Sequence, residues 1–310
     1  MRTVIRPQRL KQGDNIRIVT PASAADIKGL SKGISILKTL GYNVTLGKNI
    51  RRLAQKGDLA APDKDRAEEL MDAFKDDSVD AIFSARGGYG SIRVLQYLDY
   101  DLIKTHPKIF VGYSDITALH LAINKLTGLI TFHGPMPSVD VDEMKKNSFR
   151  QFLSVLSGDS LDISSTINSV IKYAVPGKTE GISMGTCMSP VASLIGTEYM
   201  PEPDGKILFM EDTGTTAADI DRYLFGLKLS KMLKKFNGFA FGDFTDIPLT
   251  DEPMPAIEEV IEDYMNELNK PSIFGLPFGH SSEQMLIPLN ARMRLSSEEP
   301  YVELLEKVVD

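Results

Sequence analysis

Ser114 lies where an apolar strand meets a helix, the kind of position from which a serine can act as a nucleophile. Lys108 to Gly112 reads as a strand and Ile116 to Leu126 as a helix, with only Tyr113-Ser-Asp115 between them. Such a sharp strand-to-helix turn exposes a serine oxygen. The helix N-terminus adds free N–H groups and a positive dipole end that suit an oxyanion. The same residues also fit a structural role, because Ser114 and Asp115 are both preferred helix caps. A nucleophile elbow usually carries glycine two residues past the serine, and this chain has Ile116 there.

A serine nucleophile needs a base, and the chain has four histidines. His106 precedes Pro107 in a polar turn and reads as a surface residue. His120 follows Ser114 on the same helix but points to another face. His133 ends a strand, and His280 sits in the loop Gly275 to Ser282, so both remain candidates for the base. For the acid that orients the base, Glu211-Asp212 follows the apolar run Ile207 to Met210, where a rigid strand would hold a carboxylate. The bland alternative is an exposed acid at a strand end. Arg86-Gly-Gly-Tyr-Gly90 lets a backbone approach a ligand closely, since glycine has no Cβ. It has neither the spacing of a dinucleotide site nor the lysine of a phosphate loop. Arg86 beside it can clamp a carboxylate through two parallel hydrogen bonds, or pair with a surface acid.

These residues need a scaffold, and the first 135 residues supply alternating periodicities. Asn15 to Thr20, Tyr42 to Leu46, Val79 to Ser84, Lys108 to Gly112 and Leu129 to Phe132 read as strands. Between them, apolar residues recur at helical spacing over Ile27 to Leu40, Asp65 to Phe74, Ser91 to Tyr97 and Ile116 to Leu126. The alternation predicts parallel βαβ units in a doubly wound α/β domain. Ligands then bind outside the carboxyl ends of the strands, where Pro21-Ala-Ser23, Arg86 to Gly90 and Gly112 to Asp115 lie. After Pro137 the rhythm becomes irregular. A polar helix is expected over Asp142 to Leu156, then a pair of strands at Thr166 to Ala174 and Lys178 to Met184 around Pro176-Gly177. Strands at Ile207 to Met210, Phe239 to Phe244, Ser272 to Phe274 and Met285 to Leu289, with a helix over Ala217 to Leu229, complete a second, α+β unit. The expected division is 1–140, a connector over 141–170, and 171–310.

Composition narrows the class. The 310 residues carry 42 acidic and 35 basic side chains, a net charge of −7, with 42% apolar residues. That is ordinary globular usage, and the acidic balance argues against a nucleic-acid partner. No apolar run reaches the ~18 residues of a membrane helix, and the charged start does not read as a signal peptide. A single cysteine, Cys187, forms no internal disulfide or zinc pattern. The cytoplasm is the expected compartment.

Several short segments, in order, resemble the LD-carboxypeptidase family of serine peptidases, which includes the microcin C immunity peptidases. They are Leu10-x-x-Gly-Asp14, Arg86 to Gly90, Lys108 to His120, Thr131 to Met136, Leu194 to Tyr199, Leu208 to Asp212 with Ile220-Asp-Arg222, and Phe278-Gly-His280. The resemblance implies an amidotransferase-like N-terminal domain joined to a smaller swivelling-type C-terminal domain. It puts the nucleophile on Ser114, the orienting acid on Glu211 and the base on His280, in a cleft between the two units. Oxyanion donors would be the backbone N–H groups of Asp115 and Gly88. Two departures stand out. Gly185-Thr186-Cys187 replaces the family's usual Gly-Gly-Asn, and Thr213-Gly214 follows the acid pair where the microcin branch has a basic residue.

The resemblance implies a serine carboxypeptidase acting on muropeptides, cleaving a terminal D-amino acid from an L-centre in cell-wall recycling. No metal or organic cofactor is required for such chemistry, and no membrane partner is expected. Family members are commonly homodimers. Two rival expectations are a microcin-type peptidase that cleaves an aspartyl–nucleotide amide, and a catalytically silent binding protein on the same scaffold.

Overall fold

The computed structural model describes residues 4–52, 58–141, 146–164, 170–249, 254–281, 283–299 and 301–310. Five short strands run in parallel through the first unit: β1 (Asn15–Val19), β2 (Asn43–Leu46), β3 (Ala81–Ser84), β4 (Ile109–Gly112) and β5 (Thr131–His133). Helices α1 (Ile27–Thr39), α2 (Asp63–Lys75), α3 (Tyr100–Thr105) and α4 (Thr117–Thr127) connect them. Local chemistry sets these boundaries. The Asp26 carboxylate accepts the Gly29 N–H at 2.7 Å and opens α1. Gly128, at φ +81°, closes α4 in a left-handed conformation that glycine adopts without a Cβ penalty. Ser91 to Tyr97, expected as an α-helix, is a 3-10 helix.

Within the parallel strands the order is β2-β1-β3-β4-β5. The chain reverses direction across the sheet between β1 and β3, and loops leaving the carboxyl ends of these strands diverge there to form a crevice. Ser23 follows β1, the Arg86 to Gly90 turn follows β3, and Ser114 follows β4. All three turns therefore converge on one edge.

Helix α5 (Lys146–Leu156) lies within the expected connector, and after it come β6 (Lys172–Val175), β7 (Lys178–Cys187), α6 (Met188–Ser193), β8 (Lys206–Thr213), α7 (Ala217–Leu229), β9 (Gly238–Thr245), α8 (Ile257–Leu268) and β10 (Ser272–Phe274) of the second unit. It is completed by β11 (Ile287–Leu289), β12 (Arg292–Ser296) and β13 (Val302–Leu304). The expected starts of a helix at Asp142 and of a strand at Thr166 lie outside the described residues. The second sheet has the order β13-β12-β7-β8-β9-β10-β6, with β7 to β10 parallel. Two sequence expectations change here. Strands β6 and β7 do not pair with each other, and β11 leaves its neighbours to add antiparallel to β5 in the first sheet.

The separation of β6 and β7 has a geometric reason. In a flat sheet they would stand four strand spacings apart, about 19 Å at ~4.8 Å each. Three Cα steps from Val175 to Lys178 reach about 11 Å at most. The sheet must curl. Accordingly, a Cβ on Gly177 would lie 3.1 Å from Pro271 Cγ ahead of β10, and one on Gly238 would lie 2.7 Å from Thr179 Cγ2. A connection that looks like a hairpin turn in sequence instead spans the mouth of a curled sheet.

The two units share their cores. One buried cluster joins Phe83, Val111 and Phe132 of the first sheet to Phe152 of α5, Phe209 of β8, Phe278 and Met293. Phe83 meets Phe152 edge-on at 6.0 Å, and Phe209 meets Phe278 at 5.9 Å. Polar contacts add to this at the start of α4, where Thr117 Oγ1 lies 2.7 Å from Thr186 Oγ1. The Cys187 N–H also donates to Thr117 Oγ1, at 3.3 Å. The segment leading to His280 rests on β9 so closely that a Cβ on Gly242 would come within 2.3 Å of Phe278 O. Gly242→Ala should therefore overpack this contact and destabilise the fold by about 1–3 kcal/mol. Urea unfolding would read this as a lower midpoint at unchanged slope, and an unaltered midpoint would show that the segment gives way freely.

Candidate active site

Ser114 is the first residue of a 3-10 turn that runs straight into α4, so strand, serine and helix follow without a loop. Its φ is +62°. A left-handed backbone costs a residue bearing a Cβ about 1–2 kcal/mol. Ile116 stands where an elbow usually has glycine, and the space is found elsewhere. A Cβ on Gly112 would lie 2.9 Å from Ile116 Cγ2, and one on Gly87 would lie 2.8 Å from Ser114 Cβ. The glycines that relieve crowding thus precede the serine and line the neighbouring turn.

The structure brings three expected residues together. Ser114 Oγ lies 3.0 Å from His280 Nε2, and His280 Nδ1 lies 2.7 Å from Glu211 Oε2. Glu211 is held inside β8 and is fully buried, and Oε1 has no hydrogen-bond partner among the described residues. Burial raises its pKa, against the hydrogen bond and charge of His280. For His280 the balance is reversed. Burial lowers its pKa, but the hydrogen bond and charge of Glu211, with Asp212 and Asp140, outweigh that and leave it above 6.5. A histidine fixed through Nδ1 by a carboxylate, with Nε2 facing a hydroxyl, can take up and return a proton.

The other histidines form no hydrogen bond with Ser114 among the described residues. His120 is buried with Nε2 2.8 Å from Gly112 O and Nδ1 2.8 Å from Thr131 Oγ1, and burial lowers its pKa to about 4. His106 turns back on its own helix, with Nδ1 3.1 Å from Leu102 O. His133, the rival base, is wholly buried at the end of β5, with neither ring nitrogen hydrogen-bonded among the described residues. Its ring packs against Tyr113 at 5.5 Å and Phe278 at 5.8 Å.

The Arg86 to Gly90 turn lies beside the serine. Gly88, at φ +92°, is so close to Ser23 that a Cβ would fall 2.5 Å from Ser23 Oγ. Ser23 also accepts the Tyr89 N–H at 3.0 Å and donates its own N–H to Gly87 O at 3.2 Å. Arg86 is half-buried and forms no ion pair or hydrogen bond among the described residues. The Asp115 side chain points to Ser91, whose N–H it accepts at 2.7 Å.

Several contributors escaped the sequence reading. Gly279, at φ +116°, lets the loop pass over Glu211, where a Cβ would lie 2.8 Å from Oε2. Its place in Phe278-Gly-His280 was the available signal. The Tyr113 ring meets the His280 ring edge-on at 5.0 Å, and its hydroxyl donates to Asp140 Oδ1 at 2.9 Å. Burial pushes the Asp140 pKa up to about 6, against the Met136 N–H and the Tyr113 hydroxyl. No spacing rule marks Asp140. The Gly185-Thr186-Cys187 segment is buried structure, with Thr186 at φ +126° contacting Thr117 and Cys187 paired with Glu211 across β7 and β8.

Comparison with known proteins gives this geometry a family. Residues 16–134 match the LD-carboxypeptidase N-terminal domain, and residues 180–295 match the LD-carboxypeptidase C-terminal domain. A probable murein peptide carboxypeptidase from Bacillus subtilis (strain 168) is 37% identical over 300 residues, covering 95% of this chain and 92% of its own. The microcin C7 self-immunity protein MccF of Escherichia coli is 26% identical, covering 96% and 95%. A solved structure of MccF superposes with a TM-score of 0.90 at 24% identity, over 99% of this chain and 100% of that one. The crystal structure of muramoyltetrapeptide carboxypeptidase from Oxalobacter formigenes gives a TM-score of 0.77 at 27% identity, over 94% and 97%. The two-sheet α/β architecture is shared with these structures, and the chain belongs to the LD-carboxypeptidase family of peptidases.

Proposed function

We propose that this enzyme is a serine carboxypeptidase that removes a terminal D-amino acid from an L-centre in muropeptides, acting through Ser114, His280 and Glu211. The observation that carries the reading is the continuous chain from Ser114 Oγ through the imidazole to Glu211, at 3.0 and 2.7 Å. His280 takes the proton of Ser114 as Oγ attacks the scissile carbonyl, then delivers it to the leaving amine. Glu211 holds the imidazole in one orientation and supports its positive charge. The N–H groups of Gly88 and Asp115 stabilise the oxyanion, and water releases the acyl group by the reverse path. Arg86, without a partner among the described residues, binds the carboxylate of the leaving residue. A muropeptide substrate is supported by the names of the Bacillus and Oxalobacter relatives. Work on wall fragments inside the cytoplasm, as a homodimer, belongs to the same proposal. A microcin-type amide is the second reading, supported by the likeness to MccF along nearly the whole chain.

Ser114→Ala should lower kcat by several orders of magnitude, because members of a triad act as a unit. Incubation with a muramyl tetrapeptide and an aspartyl–nucleotide amide, followed by mass spectrometry, separates the two substrate readings. Wild-type turnover surviving in the purified mutant removes Ser114 as the nucleophile.

His280→Ala should be nearly as damaging, whereas His133→Ala should retain most of the activity. An essential His133 beside a dispensable His280 would overturn the triad. Only neutral His280 can act as base, so kcat/KM should fall as pH drops through a midpoint above 6.5. Glu211→Gln removes the charge that raises this midpoint and leaves burial to dominate. The acid limb should then move to lower pH while the plateau falls, and a stationary limb would dissociate the limb from His280.

Amidating the terminal carboxylate of the substrate should raise KM or lower kcat. Arg86→Ala should largely erase the difference between free-acid and amidated substrates. Equal cleavage of both by the wild type would make a broader amidase the better description.

A further inference from the structure

The strained backbone of Ser114 persists only if its surroundings over-determine it. The turn facing it is soft in itself, since three of its five residues are glycine and Gly88 and Gly90 have φ of +92° and +106°. An oxyanion pocket with one N–H on each turn works only when their separation is fixed before reaction. A set of polar groups that takes no part in the proton transfers, with Ser91 and Arg66 buried and Asp115 partly so, spans the two turns. Ser91, at the end of the glycine turn, donates its N–H to Asp115 Oδ2 at 2.7 Å and its hydroxyl to the Asp115 carbonyl. The residue bearing one proposed oxyanion donor is thus gripped from the end of the turn that bears the other.

Arg66 backs this grip. Its guanidinium is fully buried and donates from Nη1 to Pro21 O at 2.5 Å and to Gly90 O at 2.8 Å. Nε donates to Ala61 O at 3.0 Å, and Nη2 to Asp63 Oδ1 at 2.5 Å. One side chain therefore ties the loop after β1 to the loop after β3, next to Ser91. Burying a carboxylate such as Asp115 is costly unless it is hydrogen-bonded and charge-balanced. Burial raises the Asp115 pKa, and the Ser91 hydrogen bonds and the Arg66 charge act against it. With the carboxylate turned to Ser91 and within the field of the Arg66 charge, the acid is directed away from the anion that the Asp115 N–H would serve.

We propose that the Asp115 carboxylate, held by Ser91 and backed by Arg66, is a positioning residue. It locks the glycine turn to the serine turn and sets the distance between the Gly88 and Asp115 N–H groups before substrate arrives. This rests on the serine-acyl reading above, and the test keeps the two apart.

The probe is a fluorophosphonate: Ser114 Oγ bonds to phosphorus, fluoride leaves with the electron pair, and the serine proton passes to His280. Its phosphoryl oxygen needs the same two donors as a peptide carbonyl, so labelling reports the pocket whatever the natural substrate is. The limiting labelling rate should fall about tenfold in Ser91→Ala and about 100-fold in Asp115→Ala, the loss that small misplacements of reacting groups produce. Asp115→Asn keeps an acceptor for the Ser91 N–H and should recover most of the loss. The concentration for half-maximal rate and the midpoint of the acid limb should stay at wild-type values, which a general loosening of the fold would not preserve. Arg66→Met leaves several carbonyls and Asp63 unpaired and can fail to fold, so Asp115→Ala, which removes the carboxylate, and Ser91→Ala, which removes the hydroxyl bond, carry the test. If Ser91→Ala and Asp115→Ala melt like the wild type and label at its rate, the clamp is refuted and the nucleophile stands. If wild-type Ser114 takes no label, the clamp and the serine-acyl reading fall together.

Discussion

The site depends on a carboxylate that has been taken out of water. Glu211 is enclosed within β8 and its hydrogen-bonded partner is the imidazole of His280. Removing that partner would leave a buried charge uncompensated, at a cost of about 3–5 kcal/mol. The pair therefore fixes where the 275–281 loop must lie, and other features of the loop follow from it. Gly279 has no Cβ because Glu211 is beneath it, and Gly242 has none because the Phe278 carbonyl sits on β9. The Phe278 ring then enters the shared core against Phe209 and His133. Packing and chemistry impose one placement.

The opposing side of the site stands on a different kind of rigidity. Ser114 is presented by backbone geometry at a strand end, whereas His280 is presented by a side-chain pair and by close contacts of glycine. The two meet because the sheets share apolar clusters, and because Thr117 and Thr186 hydrogen-bond at the start of α4. A mobile hinge between the units would have to break these buried contacts together. The arrangement favours a preformed site, in which little reorganisation remains when the proton moves.

Much of this could be read from the residues before any coordinates. The alternation of β-branched strands and apolar-spaced helices reveals the first sheet, because parallel strands joined by helical crossovers leave a repeating local signature. The junction at Gly112 to Asp115 is legible for the same reason. By local pattern His133 and His280 are equivalent, since both follow strands, and only the family resemblance prefers His280. The structure separates them by burial, with His133 enclosed by aromatic rings and His280 facing Ser114. The positions of β6, β7 and β11 are hidden because pairing partners lie far along the chain, and a two-residue Pro-Gly link reads as a hairpin whether or not its strands meet. Asp140 carries no local mark, as its neighbours come from the 136 turn and from Tyr113.

Strand β11 affects the way the chain is made. β5 receives its outer partner from residues 287–289, after the chain has passed through most of the second sheet and through His280. Until those residues emerge during synthesis, β5 is an uncovered edge whose unpaired N–H and C=O groups can accept a foreign strand. The first sheet can begin early but closes late, and the strand that closes it follows the last residue of the proposed triad. A chain interrupted between residues 280 and 287 would carry Ser114, Glu211 and His280, yet would keep the sheet edge that full-length folding covers. Assembly of the site and protection of that edge are thus completed within a few residues of each other on the nascent chain.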